Sequence, residues 1–192
     1  MAVITRVYDT YAHAQTVVSD LEASGLAASD ISLVANKHVS AHYDNVDEVS
    51  SAGTGASVGG ALGGGAGLLA GLGLLAIPGL GPVVAAGWLA STALGAAAGA
   101  ATGGLIGALV GEGVDEADAH VYSESIRRGG TMVTVRTTDT NRAHVESVMD
   151  RHSPIDPNMR GEEYRKGGWK TFDPAAPAYK PTQDEIDRIR RT

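Results

Sequence analysis

The sequence of 192 residues contains no cysteine, which excludes disulfide bonds, thiol catalysis and thiolate metal sites. Aromatic residues make up only 5% of the chain, with a single phenylalanine, whereas a large conventional core uses more of them. The net charge of −7 argues against general attraction to nucleic acid or to anionic lipid, so we expect no nucleic-acid partner. The first ten residues lack the charged-then-apolar pattern of a secretory signal, and we expect a cytoplasmic protein.

Charged side chains are also missing from one long internal stretch. Residues 49–111, 63 in all, include no Asp, Glu, Lys or Arg, and we name them the uncharged segment. Residues 1–48 carry a net charge of −5, residues 112–152 carry −3, and residues 153–192 carry +1. Charge therefore divides the chain into four parts.

The first acidic part has the pattern strand, helix, strand. Residues 2–8 and 31–35 are short runs rich in β-branched side chains, which is typical of strands. Between them, Thr10 is suited to cap a helix whose apolar residues recur on one face, and Gly25 suits the position just past its end.

The second acidic part continues the same pattern. The spacing predicts a helix over residues 116–128, a strand over residues 131–137 and a last helix capped by Asp139 or Thr140. Neither acidic part has enough strands for a domain of its own. We therefore expect them to fold together as one small ferredoxin-like α+β sandwich of three strands and three helices, interrupted by the uncharged segment.

Glycine recurs at every fourth position in both halves of the uncharged segment. Each glycine inside a helix costs about 1 kcal/mol relative to alanine, so a regular stripe indicates a compensating close contact between helix backbones. The pattern predicts two helical arms, over about 55–77 and 83–111, that form an antiparallel glycine-zipper hairpin. The predicted helix-packing residues are Gly55, Gly59, Gly63, Gly67, Gly71, Gly95, Gly99, Gly103 and Gly107.

The sequence PGLGP separates the two arms. Proline breaks a helix and glycine permits a sharp change of direction, so we assign the hairpin turn to Pro78, Gly79, Gly81 and Pro82.

The outer faces of such a hairpin carry leucine and alanine and need an apolar environment. Each arm exceeds the roughly 20 residues that cross a bilayer. However, the turn is apolar and the flanks are acidic, whereas the cytoplasmic flanks of membrane spans favour Lys and Arg. We expect a homo-oligomer formed through the hairpin, and a lipid bilayer stays open as the alternative environment.

Motifs that would indicate chemistry are weak. Residues 71–76 fit G-x-G-x-x-A, but no acidic residue follows near Gly95 and no convincing strand precedes them. His38 and His42 have a spacing that could bind a metal on a helix, yet the residues around them do not form a clear helical pattern. Asp115 and Glu116 are explained by the start of a helix, where acids complement the dipole. We therefore expect no catalytic, cofactor or metal site.

The tail, residues 153–192, combines prolines with aromatic residues. It is too polar to fold alone, so we expect Trp169 and Phe172 to dock on the α+β domain or on a neighbouring subunit. Thr182 and Glu185 form a capping box that opens a short terminal helix.

The opening stretch VITRVYDTYAHAQTVVSDLEASGLAASDISLVA resembles the general stress protein 17M-like domain of bacterial heat and general stress proteins. The strand GGTMVTVRT and the tail YRKGGWKTFDPAAPAY are also similar to segments of such proteins. The resemblance rests on patterns of apolar residues and carries over no active-site residue. It implies a cytoplasmic stress-related protein with no established reaction.

Together, these observations predict a non-enzymatic stress-response protein that self-assembles or associates with a membrane through its glycine-rich hairpin. The alternative is a soluble ligand-binding carrier or enzyme that uses the cleft of the α+β domain.

Overall fold

The computed structural model describes residues 1–36, 73–77, 81–89, 104–176, 182–184 and 187. These residues form a mixed α/β structure built on one sheet. The strands are β1 (Ala2–Tyr8), β2 (Ile31–Asn36), β3 (Gly73–Ile77), β4 (Gly81–Ala86) and β5 (Thr131–Thr137). Their order across the sheet is β1-β5-β2-β4-β3, and every neighbouring pair is antiparallel.

The helices of the described part are α1 (Tyr11–Ala23), α2 (Gly104–Gly111), α3 (Glu116–Arg127), α4 (Arg142–Asp150) and α5 (Pro157–Lys166). The ends of α1 confirm the sequence signals. Thr10 Oγ1 accepts the hydrogen bond from the backbone N–H of His13, and Gly25 has φ +95° while the N–H of Leu26 bonds back to the carbonyl of Leu21.

The three strands and three helices predicted for the acidic parts are confirmed as β1, α1, β2, α3, β5 and α4. The last of these helices begins later than predicted, at Arg142, with Asn141 as its N-cap. Strands β1 and β2 run parallel to each other with β5 between them, antiparallel to both. Helix α1 joins the two parallel strands, so the chain makes a split β-α-β unit.

Both faces of the sheet are covered. On the first face, the apolar sides of α1 and α4 pack on side chains of β1, β2 and β5, and Tyr8, Leu21, Leu33 and Met149 are fully buried there. On the second face, α2, α3 and the tail pack on the alternate side chains of the same strands, including Val7 and Met132. Every position of β2 is buried, as expected for a strand with both faces covered.

The prediction that both arms of the uncharged segment are helical is wrong for residues 73–77 and 83–86, which belong to β3 and β4. The glycine stripe itself explains the difference, because its spacing of four stops at Gly71 and resumes at Gly95. Between these positions the residues LLAI and PVVAA are compatible with strands, and β4 satisfies the open edge of β2 by pairing with it.

The chain reverses between β3 and β4, since Ile77 pairs with Gly81. Gly81 and Pro82, predicted as turn residues, are the first two residues of β4. Pro82 precedes the stretch of β4 that pairs with β2, so its missing N–H removes no donor from that ladder. Pro78 and Gly79 lie outside the described residues.

Gly87 lets the chain leave β4 and cross onto the second face. Its φ is +86°, and a Cβ at this position would lie 2.3 Å from the carbonyl oxygen of Ile31, so no other residue fits without a shift of the backbone. The chain then buries Trp88 and Leu89 in the second core. The indole Nε1 of Trp88 donates to the carbonyl of Asp30 at 3.3 Å.

A buried carboxylate fixes the end of α3. Glu124 is 1% exposed and accepts two hydrogen bonds of 2.9 Å from Arg127 and one of 2.7 Å from Arg128. The carbonyl of Arg127 in turn accepts a hydrogen bond of 3.1 Å from the side-chain amide of Asn36, at the end of β2. The charge of Glu124 is therefore paired, and its partners link α3 to the sheet.

We expect Glu124→Gln to lower the free energy of unfolding by about 2 kcal/mol. The amide oxygen of glutamine can still accept a hydrogen bond, but the buried amide NH2 would face an arginine N–H, so two donors would meet. Urea denaturation followed by circular dichroism measures the change. Glu146→Gln is the control, since Glu146 pairs with Arg142 on an exposed face of α4 and should cost at most about 0.5 kcal/mol. Equal losses in the two variants would contradict a structural role for the buried pair.

Candidate functional site

A groove of about 210 Å³ runs beside β1, which is the first strand of the sheet and has a described neighbour on one side only. We name it the edge groove. Its floor is the middle of β1, one wall is the start of α3 with the turn before it, and the other wall is the start of α4. The lining residues are Val3, Ile4, Thr5, Arg6, Gly113, Val114, Asp115, Asp118, Tyr122, Arg142 and Glu146.

The backbone of β1 presents hydrogen-bonding groups to this groove. The carbonyl of Val7 accepts from the N–H of Ile155 at 2.7 Å, and the carbonyl of Thr5 accepts from Nη1 of Arg6 at 3.0 Å. Neither donor belongs to β5, so these residues face away from the ladder. Because a residue's N–H and C=O point the same way in an antiparallel strand and alternate along it, Val3 also faces outward.

The edge is closed at one end and open at the other. Ile155 covers Val7, and the ion pair between Arg160 and Asp9, 2.9 Å long, holds the start of α5 beside the end of β1. For Val3 N–H and C=O and for Thr5 N–H, no described residue provides a hydrogen-bonding partner. The groove therefore contains an antiparallel edge on which three backbone groups have no partner among the described residues.

The charges of the groove leave it acidic. Arg6 is paired with Asp150 at 2.8 Å, and Arg142 is paired with Glu146 at 2.9 Å. Asp115 caps α3 by accepting from the N–H of Ala117, and no cation of the described residues pairs with it or with Asp118. Burial, followed by the negative charges of Asp115 and Asp156, raises the pKa of Asp118.

Tyr122 separates the acidic wall from the core. Burial raises the pKa of its phenol to about 12, and the charge of Asp118 acts in the same direction, so Tyr122 is neutral at physiological pH. The groove can therefore offer backbone hydrogen bonds, an aromatic wall and an attraction for positive charge. The sequence interpretation explained Asp115 and Glu116 as the start of a helix, which is confirmed, but it gave no sign that this helix start faces an open strand.

Of the predicted glycine stripe, the structure describes Gly107, in the middle of α2. Gly107 is exposed, and a Cβ at this position would meet no described atom within 4 Å. Val110 and Gly111 lie on the same exposed side, while Leu105 and Leu109 are buried on the opposite side. Gly55, Gly59, Gly63, Gly67, Gly71, Gly95, Gly99 and Gly103 lie outside the described residues.

The two aromatic residues predicted to dock both lie against the α/β domain. Phe172 is 5% exposed and belongs to the second core, and Trp169 packs against the same cluster. Sequence reasoning missed α5, which precedes them and has Asp156 as its N-cap and proline at its first position. Of the predicted terminal helix, Gln183, Asp184 and Asp187 are helical.

Tyr164 of α5 connects the tail to α3. Its hydroxyl lies 3.1 Å from Oγ of Ser125, and the guanidinium of Arg128 stacks on its ring at 4.4 Å from the centroid. Trp169 meets the same ring edge-on, with centroids 5.7 Å apart. The tail therefore adds buried aromatic area to a domain that is poor in aromatic residues.

The histidines add no metal site in the described part. No group of three or more His, Asp or Glu side chains there could hold a metal ion. His120 contacts Oγ1 of Thr171 at 3.0 Å and links α3 to the tail. His152 contacts the carboxylate of Asp20 at 2.9 Å and links the end of α4 to α1. His38 and His42 lie outside the described residues.

Neither family models, curated proteins nor solved structures yield a match to this chain. Within the described ranges, no helix combines the length and the apolar composition that crossing a bilayer requires.

We expect Phe172→Ala to lower the free energy of unfolding by about 3 kcal/mol, because it removes a buried ring from the second core. The tail should then become sensitive to limited proteolysis after Lys166 or Lys170. Met159→Ala, on the exposed side of α5, is the control and should leave both measurements nearly unchanged, since Met159 is 73% exposed. A tail equally resistant in both variants would show that Phe172 does not hold it.

Proposed function

We propose that this chain is a non-enzymatic bacterial stress-response protein whose α/β domain carries a self-associating, glycine-rich segment. The observation that carries the proposal is the outward-facing glycine of α2 within a 63-residue stretch that has no charged side chain. The stress-related role rests on the resemblance of the opening stretch and the tail to the general stress protein 17M-like domain.

The exposed side of α2 supports self-association. Gly107, Val110 and Gly111 form a small apolar surface, and Val110 is 41% exposed. Gly107 continues the predicted stripe of Gly95, Gly99 and Gly103 at a spacing of four. Glycine inside a helix costs about 1 kcal/mol relative to alanine, and no described atom contacts the Cβ position of Gly107 to offset that cost. A second helix packed against this face would supply the compensation.

The split β-α-β arrangement of β1, α1 and β2 supports a ferredoxin-like description of the domain. Two features differ from a simple two-layer sandwich of that kind. Helix α3 packs on the face opposite to α1 and α4, and the hairpin of β3 and β4 extends the sheet beyond β2. Residues 73–77, 81–89 and 104–111 of the uncharged segment therefore belong to the α/β domain. The association function is assigned to the exposed side of α2 together with the glycine-rich residues 55–71 and 95–103.

The environment of the association is either a second copy of the segment or a lipid bilayer. A fractionation without detergent, followed by sizing of the soluble pool, separates the two. A large soluble particle supports self-association between protein segments. Recovery only in the membrane pellet supports association with lipid.

We expect the double variant Gly63→Leu/Gly99→Leu to form a smaller assembly, because two isobutyl groups on the stripe keep the helix backbones apart. Sedimentation velocity and light scattering measure the size of the particle. Ala61→Leu/Ala97→Leu is the control, since it introduces the same two leucine side chains at positions that lie two residues away from the stripe. An unchanged particle size in the glycine variant would contradict the packing role.

The alternative function, a soluble carrier or enzyme, is favoured by one observation, the presence of the edge groove in the α/β domain. It requires a small molecule that binds with saturation and raises the melting temperature. It also requires that the double glycine variant keep this binding. Removal of the whole uncharged segment does not test it, because that deletion takes away β3, β4 and α2.

A further inference from the structure

The open half of β1 has the features of a site where an additional strand can pair. Val3 directs both its N–H and its C=O into the edge groove, and Thr5 directs its N–H there. This half of the strand contains neither a proline nor a bulge, which are common protections of sheet edges, and its described cover is the Arg6 guanidinium on the carbonyl of Thr5. At Val7 the protein's own chain already uses the edge, through the N–H of Ile155.

The register of an added antiparallel strand follows from the direction of these groups. The residue that pairs with Val3 exchanges two backbone hydrogen bonds with it, and the residue that pairs with Thr5 accepts from its N–H. Paired residues point their side chains to the same face of the sheet. Val3 and Val7 belong to the second core, so both incoming side chains would point toward the wall formed by α3.

That wall is negative. Asp115 and Asp118 line it, and Asp156 lies close enough to raise the pKa of Asp118. The two arginines of the groove are held by Asp150 and Glu146 and do not compensate the wall. A lysine or arginine on the incoming strand would find two carboxylates without a described cationic partner.

The same charge argues against a second copy of β1 as the occupant. A two-fold pairing of β1 with itself would bring α3 of both copies to the same face, with Asp115 and Asp118 of one copy opposite those of the other. Like charges placed opposite each other across an interface cost several kcal/mol. The acidic wall therefore favours a partner of the opposite charge.

We propose that the edge groove binds an extended peptide segment that adds a strand to β1 and places lysine or arginine side chains against the acidic wall of α3. The backbone hydrogen bonds to Val3 and Thr5 supply the affinity, as in other cases of strand addition, and the alternate basic side chains supply the selectivity. This inference is separate from the proposed self-association, which uses the uncharged segment.

The experiment uses the full chain and a synthetic heptapeptide of alternating threonine and lysine, acetylated and amidated at its ends. A second peptide carries glutamate in place of lysine. We expect the lysine peptide to bind about tenfold more tightly, which corresponds to about 1.4 kcal/mol, because Asp115 and Asp118 attract lysine side chains and repel glutamate side chains. Isothermal titration calorimetry measures binding, and hydrogen exchange of the Val3 and Thr5 amides should slow on saturation.

Val3→Pro tests the backbone contribution. Proline removes an N–H that points into the groove and leaves the ladder with β5 intact, so the variant should fold and lose binding at least about tenfold. Circular dichroism checks the fold. If this variant unfolds, a lysine peptide methylated on its backbone nitrogens gives the same test with the unaltered protein.

Asp115→Asn/Asp118→Asn tests the charge, because asparagine keeps the cap of α3 while both negative charges are removed. Glu162→Gln/Asp173→Asn is the matched control: it changes the net charge equally at two exposed positions outside the groove. We expect the lysine peptide to lose its advantage over the glutamate peptide only in the first variant. The Gly63→Leu/Gly99→Leu variant should bind the lysine peptide normally, whatever its particle size.

Three results would overturn the proposal. The first is equal affinity for the two peptides, and the second is binding that Val3→Pro leaves unchanged. The third is a concentration-dependent dimer, seen by sedimentation equilibrium, that Val3→Pro abolishes and that excludes the peptide. That last result would assign the edge to a second copy of the chain.

Discussion

The antiparallel ladder between β1 and β5 is the interaction on which the rest of the described structure depends. Seven residue pairs, from Ala2 with Thr137 to Tyr8 with Thr131, fix which side chains of β1 reach each face. A shift of one residue would exchange the two faces and remove Ile4 and Tyr8 from the first core. The same strand anchors α4 through the hydroxyl of Tyr8, which donates to the carbonyl of Met149 at 3.0 Å.

The parts of the fold that local sequence signals determine could be predicted. The cap at Thr10, the glycine at position 25 and the β-branched runs of β1 and β5 each act over a few residues, and the structure confirms them. The N-cap at Asp115 belongs to the same class. At the caps the chemistry of a short stretch is sufficient, and in the two strands the β-branched residues favour an extended backbone even though the pairing partner is distant in sequence.

The parts that depend on distant partners could not be predicted. Strand β4 exists because the edge of β2 offers it hydrogen bonds, and an apolar run beside a glycine stripe does not reveal that edge. Helix α5 is polar by composition and is held by Tyr164 against Ser125 and Arg128. The edge groove depends on β1 lying at the border of the sheet and on α3 beginning beside it, neither of which appears in the local sequence.

The contact between Thr5 and Thr134, whose hydroxyl oxygens lie 3.2 Å apart, joins residues separated by 129 positions. A ribosome that synthesises this chain releases β1 first and β5 only after the whole uncharged segment has been made. During that interval the first strand has no native ladder partner, and the most apolar part of the protein is already present. Long-range pairing of this kind is slow and leaves apolar surface accessible. The nascent chain must therefore be protected from aggregation for longer than a protein of equal size with local contacts.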